Sequence, residues 1–267
     1  MTQANAAEAP SEARRQFRQG LATPTAGWSD GYTQANLIAV TADYADEFIE
    51  FCRLNPKACP VIDIIPAGRF ESALAAGSDI RSDIPGYRVW EDGILTAELL
   101  DVSSLWRDDM VAVLIGCSFT FEAALASEGV PLRHVEMGRN VPMYRTNVQC
   151  IPAGRIHGTM VVSMRPMAPE LVDTAIRVTS QVPKVHGGPV HVGSPEELGI
   201  ADINRPDYGD TVEIRPGEVP VFWACGVTPQ SAVMASRPPF AISHAPGYMF
   251  ITDVPESSYR ETAGAQP

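Results

Sequence analysis

VAVLIGCSFTFEAAL at 111–125 and VPVFWACGVTPQSAV at 219–233 begin 108 residues apart and read as one phrase written twice. Each has alternating valines, a small residue, a Cys, and a Thr three positions after the Cys. Glu122 or Gln230 follows two positions later, and a small pair closes each stretch. The alternation ahead of the Cys reads as a buried strand, and the residues after it as a helix start. Pro229 suits a first helical turn, where its missing N–H costs nothing. Thr228 is therefore the expected N-cap, and the echo gives Thr120 the same role. Each Cys then lies on a strand-to-helix turn, beside free helix amides and a positive dipole end.

The echo extends in both directions. NLIAVTADYADEFIEFCRLNPKACPV (36–61) faces TMVVSMRPMAPELVDTAIRVTSQVPKVHGGPV (159–190). Each starts with a short apolar strand and continues into a helix, marked by Tyr44, Phe48 and Phe51 or by Leu171, Ala175 and Val178. Thr41 is the expected cap of the first helix and Pro169 a first-turn residue of the second. Both run into Pro-Lys, and Lys57 and Lys184 are the only lysines of the chain. Downstream, HVEMGRNVPMYRTN (134–147) faces SHAPGYMFITD (243–253). Collinear matches of this kind point to an internal duplication. The expected fold class is α+β, with two tandem pseudo-equivalent α/β halves that intertwine and pack as one compact unit. The expected boundaries are a flexible segment 1–21, a first half 22–150 with an insertion near 94–110, a second half 151–253, and a flexible tail 254–267.

The 267 residues suffice for a full core. A net charge of −12 argues against a nucleic-acid or anionic membrane partner. Five Cys, no CxxC and no leader pattern indicate a reducing, cytoplasmic setting. No apolar run is long enough to span a membrane.

Several residues carry candidate chemistry. A helix N-terminus beside Cys117 or Cys225 would bind a carboxylate and lower a thiol pKa. A Cys ending such a strand is equally a small buried apolar residue. The first copy is the more polar, with Ser118 and Glu122 where the second has Gly226 and Gln230. It is followed by GRNVPMYRTN, whose Arg139, Asn140, Tyr144, Arg145 and Asn147 suit a small carboxylate, unless the arginines only tie down an acidic surface. Strand alternation would divide Tyr144 from Arg145 and Asn147. In VHGGPVHVG (185–193), His186 or His191 could move protons near neutral pH, beside glycines that let a ligand approach the backbone. The HxxxxH spacing is not a metal pattern, and no nucleotide loop or GxSxG is present. No metal and no cofactor are expected.

At this point the chain resembles a bacterial hydro-lyase family related to the N-terminal part of mitochondrial D-glutamate cyclase. GWSDGYTQANL at 27, FCRLNPKACPV at 51, DIRSDIPGYRV at 79, LWRDDMVAVLIGCSFTFEAAL at 105, GRNVPMYRTN at 138, VSMRPM at 162, VHGGPVHVG at 185 and GEVPVFWACGVTPQ at 217 carry the resemblance. It implies a lyase that closes the amine of D-glutamate onto its side-chain carboxylate, with loss of water, giving 5-oxo-D-proline. Such chemistry needs a carboxylate clamp, a proton acceptor and a proton donor. Arg139 or Arg145 would be the clamp. Glu122, His186 or His191 would move protons, and Cys117 would lie near the reacting carbonyl. Two further readings stay open: a Cys-dependent amide or lactam hydrolase, and a non-catalytic small-carboxylate binding protein. The expected partner is a small carboxylate, and a homodimer is allowed.

Overall fold

The strand β1 (Tyr32–Thr41) is buried along all but its first residue, because it has neighbours on both edges and cover on both faces. In the computed structural model, which describes residues 6–260, ten further strands follow it. They are β2 (Val61–Ile65), β3 (Tyr87–Glu91), β4 (Ile94–Leu99), β5 (Met110–Gly116), β6 (Met143–Gln149), β7 (Thr159–Met167), β8 (His191–Val192), β9 (Val219–Ala224), β10 (Ala241–His244) and β11 (Phe250–Pro255). The helices are α1 (Pro10–Arg18), α2 (Ala42–Leu54), α3 (Glu122–Ser127), α4 (Arg133–Glu136), α5 (Val172–Ser180) and α6 (Thr228–Ser236). The class is mixed α and β, as expected.

Two sheets result. The first runs β2-β5-β1-β10-β3-β4, with β11 also paired to β1; the second runs β6-β7-β9-β8. All the pairings are antiparallel. Strand β6 comes from the first half of the sequence but completes the second sheet, and β10 and β11 come from the second half but complete the first.

Side-chain hydrogen bonds recur at matching places in the two sheets. Thr120 Oγ1 accepts from Gln34 N at 3.2 Å, and Thr228 Oγ1 from Val161 N at 3.0 Å. Gln34 and Val161 are each the third residue of their strand. Thr146 Oγ1 donates to Met160 O at 2.7 Å and accepts from Val148 N at 3.2 Å. Thr252 Oγ1 likewise donates to Thr33 O at 2.8 Å and accepts from Val254 N at 3.3 Å.

One face of the first sheet packs Ile38, Val113 and Trp90 against Phe48 and Phe51 of α2. The other buries Leu37, Leu114 and Val89 beneath Ile80, Ile84 and Val102. In the second sheet, Trp223 and Val221 face α3 and α5, and Phe222, Val162 and Met164 face Leu198 and Val212. A further cluster joins the two Cys turns: Cys117, Phe119, Val141, Met143, Val161, Cys225 and Val227.

Three expectations change. Residues 10–18, placed in a flexible segment, form α1, started by a proline and closed by Arg15 and Arg18. It docks through Phe17 on Trp28 and through Arg14, which donates to Ile251 O and Asp253. Within the tail, residues 254–260 continue β11 into a short 3-10 turn; residues 261–267 lie outside the described range. Thr41 takes the N-cap position of α2, but Thr120 and Thr228 are not the caps of their turns. Cys117 itself caps the 3-10 turn Ser118–Phe121, its sulfur accepting from Phe119 N at 3.4 Å. Thr228 starts α6 and donates to Cys225 O at 2.7 Å. The insertion near 94–110 is the edge strand β4 and the loop that leads to β5. No described helix is long and apolar enough to cross a membrane.

Thr228→Val keeps the shape but leaves the buried Val161 N–H without an acceptor. Such an orphan costs about 1–3 kcal/mol. The denaturant midpoint should fall with the slope unchanged; an unmoved midpoint would refute a structural role for this hydroxyl.

Candidate functional site

Arg165 is fully buried in the middle of β7, so its charge must be answered inside the protein. The turn after β5 supplies the answer. Arg165 Nε donates to Glu122 Oε1 at 3.0 Å, and Nη2 donates to the same carboxylate. Nη2 also donates to Ser118 Oγ, and Nη1 to Ser163 Oγ, each at 3.1 Å. The guanidinium lies over the rings of Phe121 and Trp223, 5.3 and 5.4 Å from their centres, and the two rings pack on each other.

Glu122 has a second basic neighbour. His134 Nε2 lies 3.0 Å from Glu122 Oε1, within ion-pair reach but off the line of a good hydrogen bond. The His134 ring stacks on Phe119. Burial alone would raise the Glu122 pKa. His134 and Arg165 outweigh it and hold the carboxyl below its usual range. The result is an ionised carboxylate in the interior. Removing one partner of such a pair typically costs about 3–5 kcal/mol.

A cavity of about 280 Å³ opens beside this cluster. Phe119, Glu122 and Ala126 form one wall, and Trp28, Ser29, Asp30 and Gln34 another. Ser29 sits in the left-handed backbone region at φ 47°, uncommon for a residue with a Cβ. Trp28 Nε1, Ser29 Oγ and Gln34 Oε1 are buried without hydrogen-bond partners. Gln34 is fixed by its amide nitrogen, which donates to Thr25 O and Trp28 O. Desolvation and then the Glu122 charge push the Asp30 carboxyl upward. Larger clefts of about 650 and 690 Å³ exist, but Glu122, His134 and Arg165 line neither. Among the described residues, no group of acids, His and Cys could hold a metal ion.

The sequence candidates divide. Glu122 and Ser118 meet at the cluster, and Cys117 adjoins it. Helix amides were expected to activate Cys117; burial instead pushes its thiol well above the ordinary range, and pushes Cys225 up to about 11. His186 is buried with φ 82°, and its Nδ1 donates to Lys57 O at 2.9 Å. Burial lowers its pKa to about 4, so it is neutral, and its Nε2 has no partner. His191 lies apart. It pairs with Phe222 on the sheet face opposite Trp223 and Arg165, with Nε2 on Ser194 O at 2.9 Å.

The GRNVPMYRTN side chains do not converge on the cluster. Arg139 donates to Thr211 O, and Asn140 Nδ2 to Pro246 O at 3.0 Å. Tyr144 OH donates to Ile203 O at 2.6 Å, and Arg145 Nε to Asp207 Oδ1 at 3.0 Å. Asn147 Nδ2 reaches Glu197 O at 3.4 Å. All but the Asn140 bond anchor the 197–211 loop. Sequence reasoning missed Arg165, His134 and the 28–34 wall. A lone Arg inside the apolar run VVSMRPM was the one signal available for Arg165.

The profile of the D-glutamate cyclase family matches residues 111–253. A protein of Arthrobacter sp. (strain FB24), provisionally named a hydro-lyase, is 83% identical over 264 residues and covers 99% of each chain. A similarly named protein of Mycolicibacterium gilvum (strain PYR-GCK) is 62% identical over 248 residues, covering 93% of this chain and 95% of its own. Among solved structures, a nitrogen repressor-like protein from Methanococcus jannaschii aligns over 87% of this chain and 91% of its own, at 12% identity and a TM-score of 0.37.

Two outcomes follow from burial. Iodoacetamide at neutral pH should leave Cys117 and Cys225 unmodified in the folded protein and alkylate both once it is denatured. Mass mapping that finds Cys117 modified in the native state would restore an activated thiol. Burial also pushes His244 from about 6.5 down to about 4. An unfolded chain takes that proton near pH 6.5 and the folded one only near 4. This contribution to stability is thus full above about pH 6.5 and lost as pH falls toward 4. Unfolding free energy between pH 6.5 and 4.5 should fall less steeply in His244→Gln than in the parent; equal slopes would refute it.

Proposed function

Because the chain belongs to the D-glutamate cyclase family, we propose that it is a hydro-lyase that takes a small amino acid, D-glutamate in the first instance, into the cavity beside Glu122. The amine closes onto the side-chain carboxyl, a C–N bond forms, a C–O bond breaks, and water leaves to give 5-oxo-D-proline. The observation that carries this reading is the buried, ionised Glu122, held by Arg165 and His134 at the wall of a cavity of amino-acid size.

The cavity supplies complementary groups for both ends of an amino acid. Glu122, Asp30 and Gln34 Oε1 are acceptors for an ammonium or amine. Trp28 Nε1–H and Ser29 Oγ–H are unused donors for a carboxylate or for the oxygen that leaves. Ring closure requires the amine to lose protons and the leaving oxygen to gain them. Glu122 takes the proton from the amine and, once protonated, returns it to the leaving oxygen, which Trp28 Nε1–H and Ser29 Oγ–H hold. Arg165 does not touch the substrate and keeps Glu122 charged and oriented. Cys117, a buried thiol of raised pKa, serves as the cap of the turn that carries Ser118 and Glu122.

The reading includes an architecture of two interleaved repeats with one working site. Recurring threonine bonds and the equivalent settings of β5 and β9 support it. The residue before β1, Gly31, has open space around its Cα, whereas Gly158, before β7, packs against Ala232 of α6. The second turn thus has Gln230 in place of the acid and a filled space in place of the cavity.

Glu122→Gln tests the assignment, since the other turn carries a glutamine at the matching place. Turnover of D-glutamate to 5-oxo-D-proline, followed by mass spectrometry, should fall by roughly 10²–10⁴-fold, with the fold retained by circular dichroism. Parent-like turnover in this variant would remove Glu122 from the chemistry.

A further inference from the structure

A second cleft, of about 650 Å³, lies where the β3–β4 hairpin, residues 207–209 and the 245–248 turn meet. It shares no lining residue with the Glu122 cavity. Its one cationic side chain is Arg88, which faces Glu98 across the β3–β4 register. Arg88 Nε donates to Glu98 Oε1 at 2.8 Å. A guanidinium has five N–H donors, and this bond uses one. Neither Nη group of Arg88 has an acceptor among the described residues. The Arg88 side chain is only 20% exposed, so these donors are held in a wall and not dispersed in solvent.

The other groups on the wall narrow the ligand. Asp207 is already engaged by Arg145 N at 2.8 Å and Nε at 3.0 Å. Tyr208 turns its hydroxyl onto Met234 Sδ at 3.7 Å, so the ring, not the polar end, faces the cleft. Tyr248, Leu99, Pro85 and Pro246 supply the apolar and aromatic half of a lining that is otherwise polar. One arginine flanked by two acids cannot hold a polyanion such as a nucleoside phosphate. It can take a single carboxylate on its Nη fork, with a flat or compact apolar body against the tyrosines.

We propose that this cleft is a second ligand site, for a small monocarboxylate with a ring or compact apolar body, anchored by the two Nη groups of Arg88. The site is independent of turnover at Glu122. A ligand there touches the 245–248 turn, whose Gly247 O accepts from Thr25 N at 2.9 Å, two residues before the wall of the other cavity.

The test is equilibrium binding of benzoate, with benzyl alcohol as the uncharged control, by calorimetry and saturation-transfer NMR. Saturable benzoate binding with a dissociation constant on the order of millimolar is expected for a ligand of this size, with benzyl alcohol much weaker. Arg88→Lys, which keeps the charge but loses the fork, should weaken benzoate at least tenfold, and Arg88→Met further. Tyr248→Ala should weaken it without touching the charge, and Glu122→Gln should leave it unchanged. Absence of saturable binding to the parent, equal affinity in Arg88→Lys and Tyr248→Ala, or loss of binding in Glu122→Gln would each overturn the proposal. The readout is binding, so it stands or falls separately from the cyclase reaction.

Discussion

A guanidinium with no exposed surface governs this molecule. Arg165 sits where an apolar side chain would be at home, and desolvating its charge is tolerable only because three polar side chains converge on it. Two of them, Glu122 and Ser118, come from the turn after β5. Ser163 comes from β7 itself, and the flanking rings come from Phe121 and Trp223. The pair therefore pins a turn carried by the first sheet onto a strand of the second. It also keeps Glu122 ionised away from water, which an exposed carboxylate achieves for free and a buried one only with partners. The mutual position of the sheets and the charge state of the site are one problem with one solution.

The same dependence explains why the two Cys turns differ. Beside β5 the helix start carries an acid, and the space in front of it is open. Beside β9 the helix start carries an amide, Gln230, whose nitrogen donates to His244 O at 2.9 Å. An amide at the second position asks for no buried cation, and the strand opposite can be apolar there. Asymmetry in one residue type thus propagates to cavity, charge and neighbours.

Much of this was legible in the sequence, and the boundary has physical causes. Strand-Cys-helix turns announce themselves through period-two valines and Pro229, which are local signals. Glu122 stood out as an acid at a helix start in the more polar copy. Arg139 and Arg145 looked like ligand clamps because their real partners, Thr211 O and Asp207, lie more than sixty positions away. Arg165 does not announce itself within VVSMRPM, since full burial of a single charge leaves no mark in the sequence of its strand. The helix at 10–18 has little apolar content, and it docks through Arg14 and Phe17, contacts that composition does not display. The caps misled for a local reason: a thiol can accept where a hydroxyl was expected.

The exchange of strands has a consequence for biosynthesis. On one edge of β1, Ile38 pairs with Ser243 and Ala35 with Phe250; the other edge pairs with β5. While the chain emerges from a ribosome, one edge of β1 stays unpaired until β10 and β11 have been made. Such an edge is a template for pairing with other chains. Closing it requires a loop of nearly the whole polypeptide, so the native topology forms late and slowly. Neither half can be released as a finished body. Loss of β10 and β11 would open the first sheet and leave the strand pairings of the second in place.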